Sequence, residues 1–114
     1  MQRAIKTLPE FDRRSKRLRK KFAALSGELN ALAAALALAP VQGASLGGGL
    51  YKIRLGSASK GGGKSGGFRV VTYYIERTAA GDEVVYLVTI YDKSEEATIT
   101  KNDLLALLGR ELPE

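Results

Sequence analysis

Between Phe68 and Tyr91 the chain is dense in β-branched and aromatic residues. Val70, Val71, Tyr73, Tyr74 and Ile75 come first, and Val84 to Ile90 follow. Such runs suit central strands packed on at least one face. Thr78-Ala79-Ala80-Gly81-Asp82 between them has the length and turn chemistry of a hairpin. Strands are therefore expected over about 68–77 and 83–91. A third is expected over Leu50-Tyr51-Lys52-Ile53-Arg54-Leu55. Strand residues two apart share a face, so Tyr51, Ile53 and Leu55 point one way while Lys52 and Arg54 point the other. Antiparallel pairing with the next strand would let Arg69 join those two cations.

The flanks read as helices. Gln2 to Lys6 is a short edge strand, and Thr7-Leu8-Pro9-Glu10 has the pattern of a capping box with proline in the first turn. Phe11, Leu18, Phe22 and Leu25 then form a narrow apolar stripe. Ser26-Gly27 breaks or bends that helix, and a second runs from about Glu28 to Ala39, rich in strong helix formers. Leu25, Leu29, Leu32 and Leu36 mark its core face. Pro40 ends it, and Gly43 to Gly49 form a loop. Thr100-Lys101-Asn102-Asp103 caps a last short helix with Leu104, Leu105, Leu107 and Leu108, closed by Gly109. The order is β-α-α-β-β-β-α, an α+β chain, with residues 1–114 forming one domain and no internal repeat.

Charge narrows the chemistry. Eighteen Lys and Arg against twelve Asp and Glu give a net charge of +6, and the chain has no Cys and no His. Disulfides, thiolates, imidazole bases and the commonest metal ligand are thereby excluded. No acid stands between Glu28 and Glu76, yet Lys52, Arg54, Lys60, Lys64 and Arg69 fall inside that interval. The first long helix adds Arg13, Arg14, Lys16, Arg17, Arg19, Lys20 and Lys21. Such a run is either a solvated face or a phosphate-docking one, and Arg13, Arg17 and Lys20 are its candidate RNA contacts. The asymmetry points to a nucleic-acid partner. No secretory signal is evident and the apolar run Ala31 to Val41 is too short to span a bilayer, so no membrane and a cytoplasmic location are expected.

Two glycine motifs fail on context. Ala58-Ser59-Lys60-Gly61-Gly62-Gly63-Lys64-Ser65 fits a relaxed nucleotide-phosphate loop, and Gly61-x-Gly63-x-x-Gly66 fits the dinucleotide fingerprint. Each needs a helix immediately afterwards to face the phosphates, and a strand follows instead. The loop is either a soluble hairpin linker or a close-approach surface on which Lys60 and Lys64 bring mobile charge to RNA.

Three blocks carry a family resemblance: Leu46-Gly47-Gly48-Gly49-Leu50-Tyr51-Lys52-Ile53-Arg54-Leu55, Gly63-Lys64-Ser65-Gly66-Gly67-Phe68-Arg69-Val70-Val71, and Tyr86-Leu87-Val88-Thr89-Ile90-Tyr91-Asp92-Lys93. In that order they resemble the RelE/ParE toxins of type II toxin–antitoxin pairs, nearest the RelE-like, HigB-type branch, over essentially the whole chain. The resemblance implies the RelE-like fold, an antiparallel sheet with helices packed on one side. It implies a ribosome-dependent mRNA endonuclease (an mRNA interferase) that works in the A site without metal or cofactor. The ribose 2′-hydroxyl attacks the adjacent phosphate, and translation stops. By motif, Lys52 and Arg54 take the paired basic positions, with Lys52 favoured to activate or orient the hydroxyl because Arg does not readily lose a proton. Arg69 would stabilise the phosphorane, and Lys93 would contact phosphate. Many relatives place a tyrosine beyond that last basic position. Here Ser94 to Ile99 has no aromatic residue, so Tyr91 is the nearest candidate, alternatively a buried strand-end residue.

The resemblance also implies a cognate antitoxin, expected to be a helix-turn-helix DNA-binding protein that covers the basic face or displaces the last helix, 101–109. Two alternatives stand beside the ribonuclease: a gyrase-inhibiting ParE-like toxin, and a non-enzymatic RNA-binding module.

Overall fold

The computed structural model describes residues 3–60, 67–76, 79, 81–95 and 99–113. Eight strand residues, Phe68–Ile75, form the centre of a five-stranded sheet. In chain order the elements are β1 (Arg3–Thr7), α1 (Pro9–Lys21), α2 (Leu25–Leu38), β2 (Ala44–Gly47), β3 (Leu50–Leu55), β4 (Phe68–Ile75), β5 (Glu83–Asp92) and α3 (Lys101–Glu111). The sheet order is β1-β5-β4-β3-β2. β2, β3, β4 and β5 pair antiparallel in succession, whereas β1 runs parallel to β5.

Successive residues of a strand face opposite sides, and the sheet uses both. Ile53, Phe68, Val70, Val85, Leu87 and Ile90 pack with Phe11 and Leu18 of α1 and Leu25, Leu29, Leu32 and Leu36 of α2. Leu50, Val71, Val84, Tyr86 and Val88 pack with Leu104, Leu107 and Leu108 of α3. The α+β class and the order of the expected elements hold. The helices, however, are not all on one side: α3 covers the face opposite α1 and α2, because Val70 and Val71 are adjacent and both need apolar cover.

Several local expectations change for physical reasons. The residues read as a loop, 43–49, contain strand β2, since Gly47, Gly48 and Gly49 take positive φ (88°, 64° and 90°) and turn the chain tightly back onto β3. The break between α1 and α2 falls at Phe22–Ala24, so Ser26 and Gly27 lie inside the first turn of α2. Thr7 does not cap α1. The N-cap is Leu8, without a side-chain bond, and the backbone N–H of Glu10 donates instead to Glu111 Oε1 of α3 at 2.8 Å. Thr100 does cap α3, accepting from Asp103 N at 3.1 Å, and that helix runs through Gly109 to Glu111. Strand β4 ends at Ile75, with Glu76 already past it; Arg77 of the expected strand, and residues 78 and 80 of the expected hairpin connection, lie outside the described residues.

Polar ties fix the sheet's β1 edge. Arg3 pairs with Glu83 at 3.0 Å and donates to the carbonyl of Ala37 at 2.5 Å, while the Tyr74 hydroxyl also donates to Glu83. The Tyr74 and Arg3 hydrogen bonds hold the Glu83 carboxyl below its usual range, and the same bond raises the Tyr74 hydroxyl.

Two glycines give opposite expectations. Gly43 has φ +83°, and a Cβ there would stand 2.2 Å from the Lys52 carbonyl oxygen. Gly43→Ala is expected to lower the unfolding free energy by about 1–3 kcal/mol in urea titration. Gly27 is helical with nothing within 4 Å of a Cβ, so Gly27→Ala should raise it by about 0.5–1 kcal/mol.

Candidate functional site

The strand-borne cations meet on the α3 side of the sheet, beyond the end that α3 covers. Register places Arg54 of β3 directly opposite Arg69 of β4, and Arg69 directly opposite Tyr91 of β5. Directly opposed side chains on one face lie about 5 Å apart at Cβ. Lys52 lies two residues from Arg54 on the same face and pairs in register with Val71.

A bulge brings Tyr91 into that row. Val71 pairs with Thr89 but Thr72 pairs with Leu87, which leaves Val88 as an extra residue in β5. The alternation therefore shifts by one. Tyr86 and Val88 face α3, whereas Leu87 and Ile90 face α1 and α2. Without the bulge Tyr91 would point to the far side from Arg69.

Accessibility divides the row. Arg54 is exposed, Lys52 is half-buried and Lys93 is exposed in the turn after β5. Among the described residues none of these three makes an ion pair. Arg69 is only 5% exposed, with one guanidinium nitrogen 3.3 Å from the Phe68 carbonyl, and Tyr91 is 1% exposed. Tyr91 is thus a buried strand-end tyrosine here, and its ring does not present a stacking surface.

Lys60 departs from expectation. Instead of mobile charge in an acid-free stretch, it forms an ion pair with Asp92, whose carboxylate is 2% exposed. Asp92 is opposite Phe68 in register and so faces α1 and α2, the other side from Arg54 and Arg69. The Lys60 ammonium also lies 5.5 Å from the Phe22 ring centre and 5.2 Å from that of Phe68. These rings form an edge-to-face pair with centres 5.2 Å apart. Asp92 additionally accepts from Ser94 N at 3.0 Å and Ser94 Oγ at 2.8 Å. Burial disfavours its charge, but the bonds from Lys60 and Ser94 outweigh that and bring the carboxyl down to about 2. Sequence order concealed this partner, since Asp92 is 32 residues from Lys60. The available signal was a lone acid ending an apolar strand, for an aspartate is rarely fully buried without a partner. Lys64 lies outside the described residues.

The α1 cations form a separate surface, on the helix that covers the opposite face of the sheet. Arg13 pairs with Glu10, Arg17 lies 3.8 Å from Glu95, and Lys21 lies 3.5 Å from the same carboxylate. Lys20 is exposed and makes no ion pair among the described residues. Exposed pairs of this kind contribute little, so Arg13 and Arg17 can exchange their carboxylates for phosphates.

The described residues hold no cluster of His, Cys, Asp and Glu suited to a metal, and no helix among them is long and apolar enough to cross a membrane. What the row offers is cationic charge fixed on a rigid sheet, suited to a phosphate.

The depressed Asp92 carboxyl makes a pH signature. Its ordinary value is 3.8, so folding favours the charged form. The stabilisation is fully present above roughly pH 4 and is lost as pH falls toward 2. Asp92→Asn should remove about 2 kcal/mol of acid-dependent stability, measured by urea unfolding across this pH interval.

The family described as the RelE toxin of the RelE/RelB toxin–antitoxin system matches residues 11–109, which span most of α1, all of α2, the sheet strands from β2 onward and most of α3. This chain belongs to the RelE toxin family of toxin–antitoxin systems.

Proposed function

We propose that this toxin is a metal-independent endoribonuclease of the RelE-like, HigB-type branch, cutting mRNA in the ribosomal A site. The observation that carries the reading is the aligned Arg54–Arg69 pair with Lys52 beside it on one sheet face. Family membership supports it, since RelE toxins act within toxin–antitoxin systems and generally inhibit translation. An antitoxin partner follows from the same membership.

The chemistry needs an attacking 2′-hydroxyl in line with the scissile phosphate and charge to meet the developing phosphorane. The ribosome would hold the mRNA in line, converting proximity into rate. Lys52 would orient or activate the hydroxyl, because an ammonium can lose a proton where a guanidinium cannot. Arg54 and Lys93, both exposed, would grip phosphate oxygens. Arg69 would act from beneath, where a nearly buried cation is poorly screened and its field on the phosphorane is strong. Tyr91 would pack against Arg69 and fix its aim. The α1 cations Arg13, Arg17 and Lys20, on the far side of the sheet, would dock ribosomal RNA away from the cut. The antitoxin would cover the strand face or displace α3.

Arg54→Ala and Arg69→Ala should each slow mRNA cleavage on the order of a hundredfold or more while leaving ribosome binding largely intact. Primer extension on mRNA from expressing cells reads this directly. Undiminished cleavage in Arg69→Ala would overturn the assignment, and accumulated cleaved DNA–gyrase complexes would move the target to gyrase.

A further inference from the structure

The turn that carries Lys93 is fastened from two directions. Within the turn, Ser94 N and Ser94 Oγ donate to the Asp92 carboxylate, and Glu95 N donates to the Asp92 carbonyl at 3.0 Å. Lys93 N donates to the Gly67 carbonyl at 3.2 Å, and a Cβ at Gly67 would stand only 2.3 Å from the Leu55 carbonyl oxygen. The second fastening is Lys60, which springs from a short 3-10 turn, Ala58–Lys60, bolted to the corner between α1 and α2. Ala24 N donates to Ser59 Oγ at 2.9 Å, and Ala58 N donates to Glu28 Oε2 at 2.8 Å. From there Lys60 reaches past Phe22 and Phe68 to Asp92.

A buried ion pair is a weak device for stability alone, because desolvating two charges offsets most of their attraction. What it adds is geometry: both groups must meet at one place. We propose that the Lys60–Asp92 pair is a positioning clamp that holds the 92–95 turn against the start of β4 and so sets where the Lys93 ammonium stands. Lys60 and Asp92 act through Lys93 and do not touch RNA. The role of Lys93 rests on the ribonuclease reading; the clamp itself does not.

The test uses the full chain on mRNA-programmed ribosomes under single-turnover conditions. Asp92→Asn and Lys60→Met should each slow cleavage at saturating ribosomes on the order of tenfold to a hundredfold, as a small misplacement of a reacting group does. The ribosome concentration for half-saturation should stay near that of the parent protein. In a Lys93→Ala background Asp92→Asn should have no further effect. Multiplying effects of the two substitutions would overturn the clamp, since a generally loosened fold acts independently of Lys93. Weakened ribosome binding by Lys60→Met would also overturn it, by making Lys60 an RNA contact. If the parent chain cleaves nothing, the ribonuclease reading fails separately and amide exchange decides the clamp. Exchange should quicken over residues 92–95 in Asp92→Asn and in Lys60→Met while α2 and α3 keep their protection, and unchanged exchange there refutes the proposal.

Discussion

Backbone alternation along β4 is the constraint on which everything else hangs. Phe68 and Val70 feed the core under α1 and α2, while Val71 feeds the core under α3. Both faces of the sheet must be covered where they are apolar, and the leucines of α3 pack at the end of its face that holds Leu50, Val71, Val84, Tyr86 and Val88. The other end carries exposed Arg54 and half-buried Lys52, with Arg69 and, through the bulge at Val88, Tyr91 nearly buried beside them. The candidate site lies at the end of this face away from the α3 leucines. Its rigidity comes from three successive antiparallel pairings.

Among the described residues, several ion pairs gather around α1 and the turn after β5. On the α1 and α2 side, carboxylates meet cations: Asp92 holds Lys60, Glu95 faces Arg17 and Lys21, and Glu10 holds Arg13 and Arg14. On the other side the opposed arginines stand together across neighbouring strands. A surface that keeps like charges adjacent meets a polyanion with little rearrangement, because the cost of assembling the charge was met during folding.

The helices show how far local rules reach. Thr100 caps α3 as its sequence pattern indicates, because the hydroxyl, the open N–H and the turn all lie within four residues. Thr7 has the same local pattern yet belongs to β1, whose pairing with Leu87 takes precedence, and α1 is capped from a distance by Glu111. Glycine read as a helix breaker at Gly27 sits within α2, since the propensity of one glycine is small beside the burial of Leu25, Leu29, Leu32 and Leu36.

By itself the sequence determined the α+β class, the three central strands, the leucine face of α2 and the cations that share a strand face. These are all written in periods of two and of three to four residues, which depend only on backbone geometry. Tertiary structure alone decided that α3 lies opposite the other helices, that Val88 bulges and turns Tyr91 toward Arg69, and that Lys60 is claimed by Asp92. Each of these joins residues far apart in the chain, and no local pattern encodes which distant charge or apolar face will arrive beside a given residue.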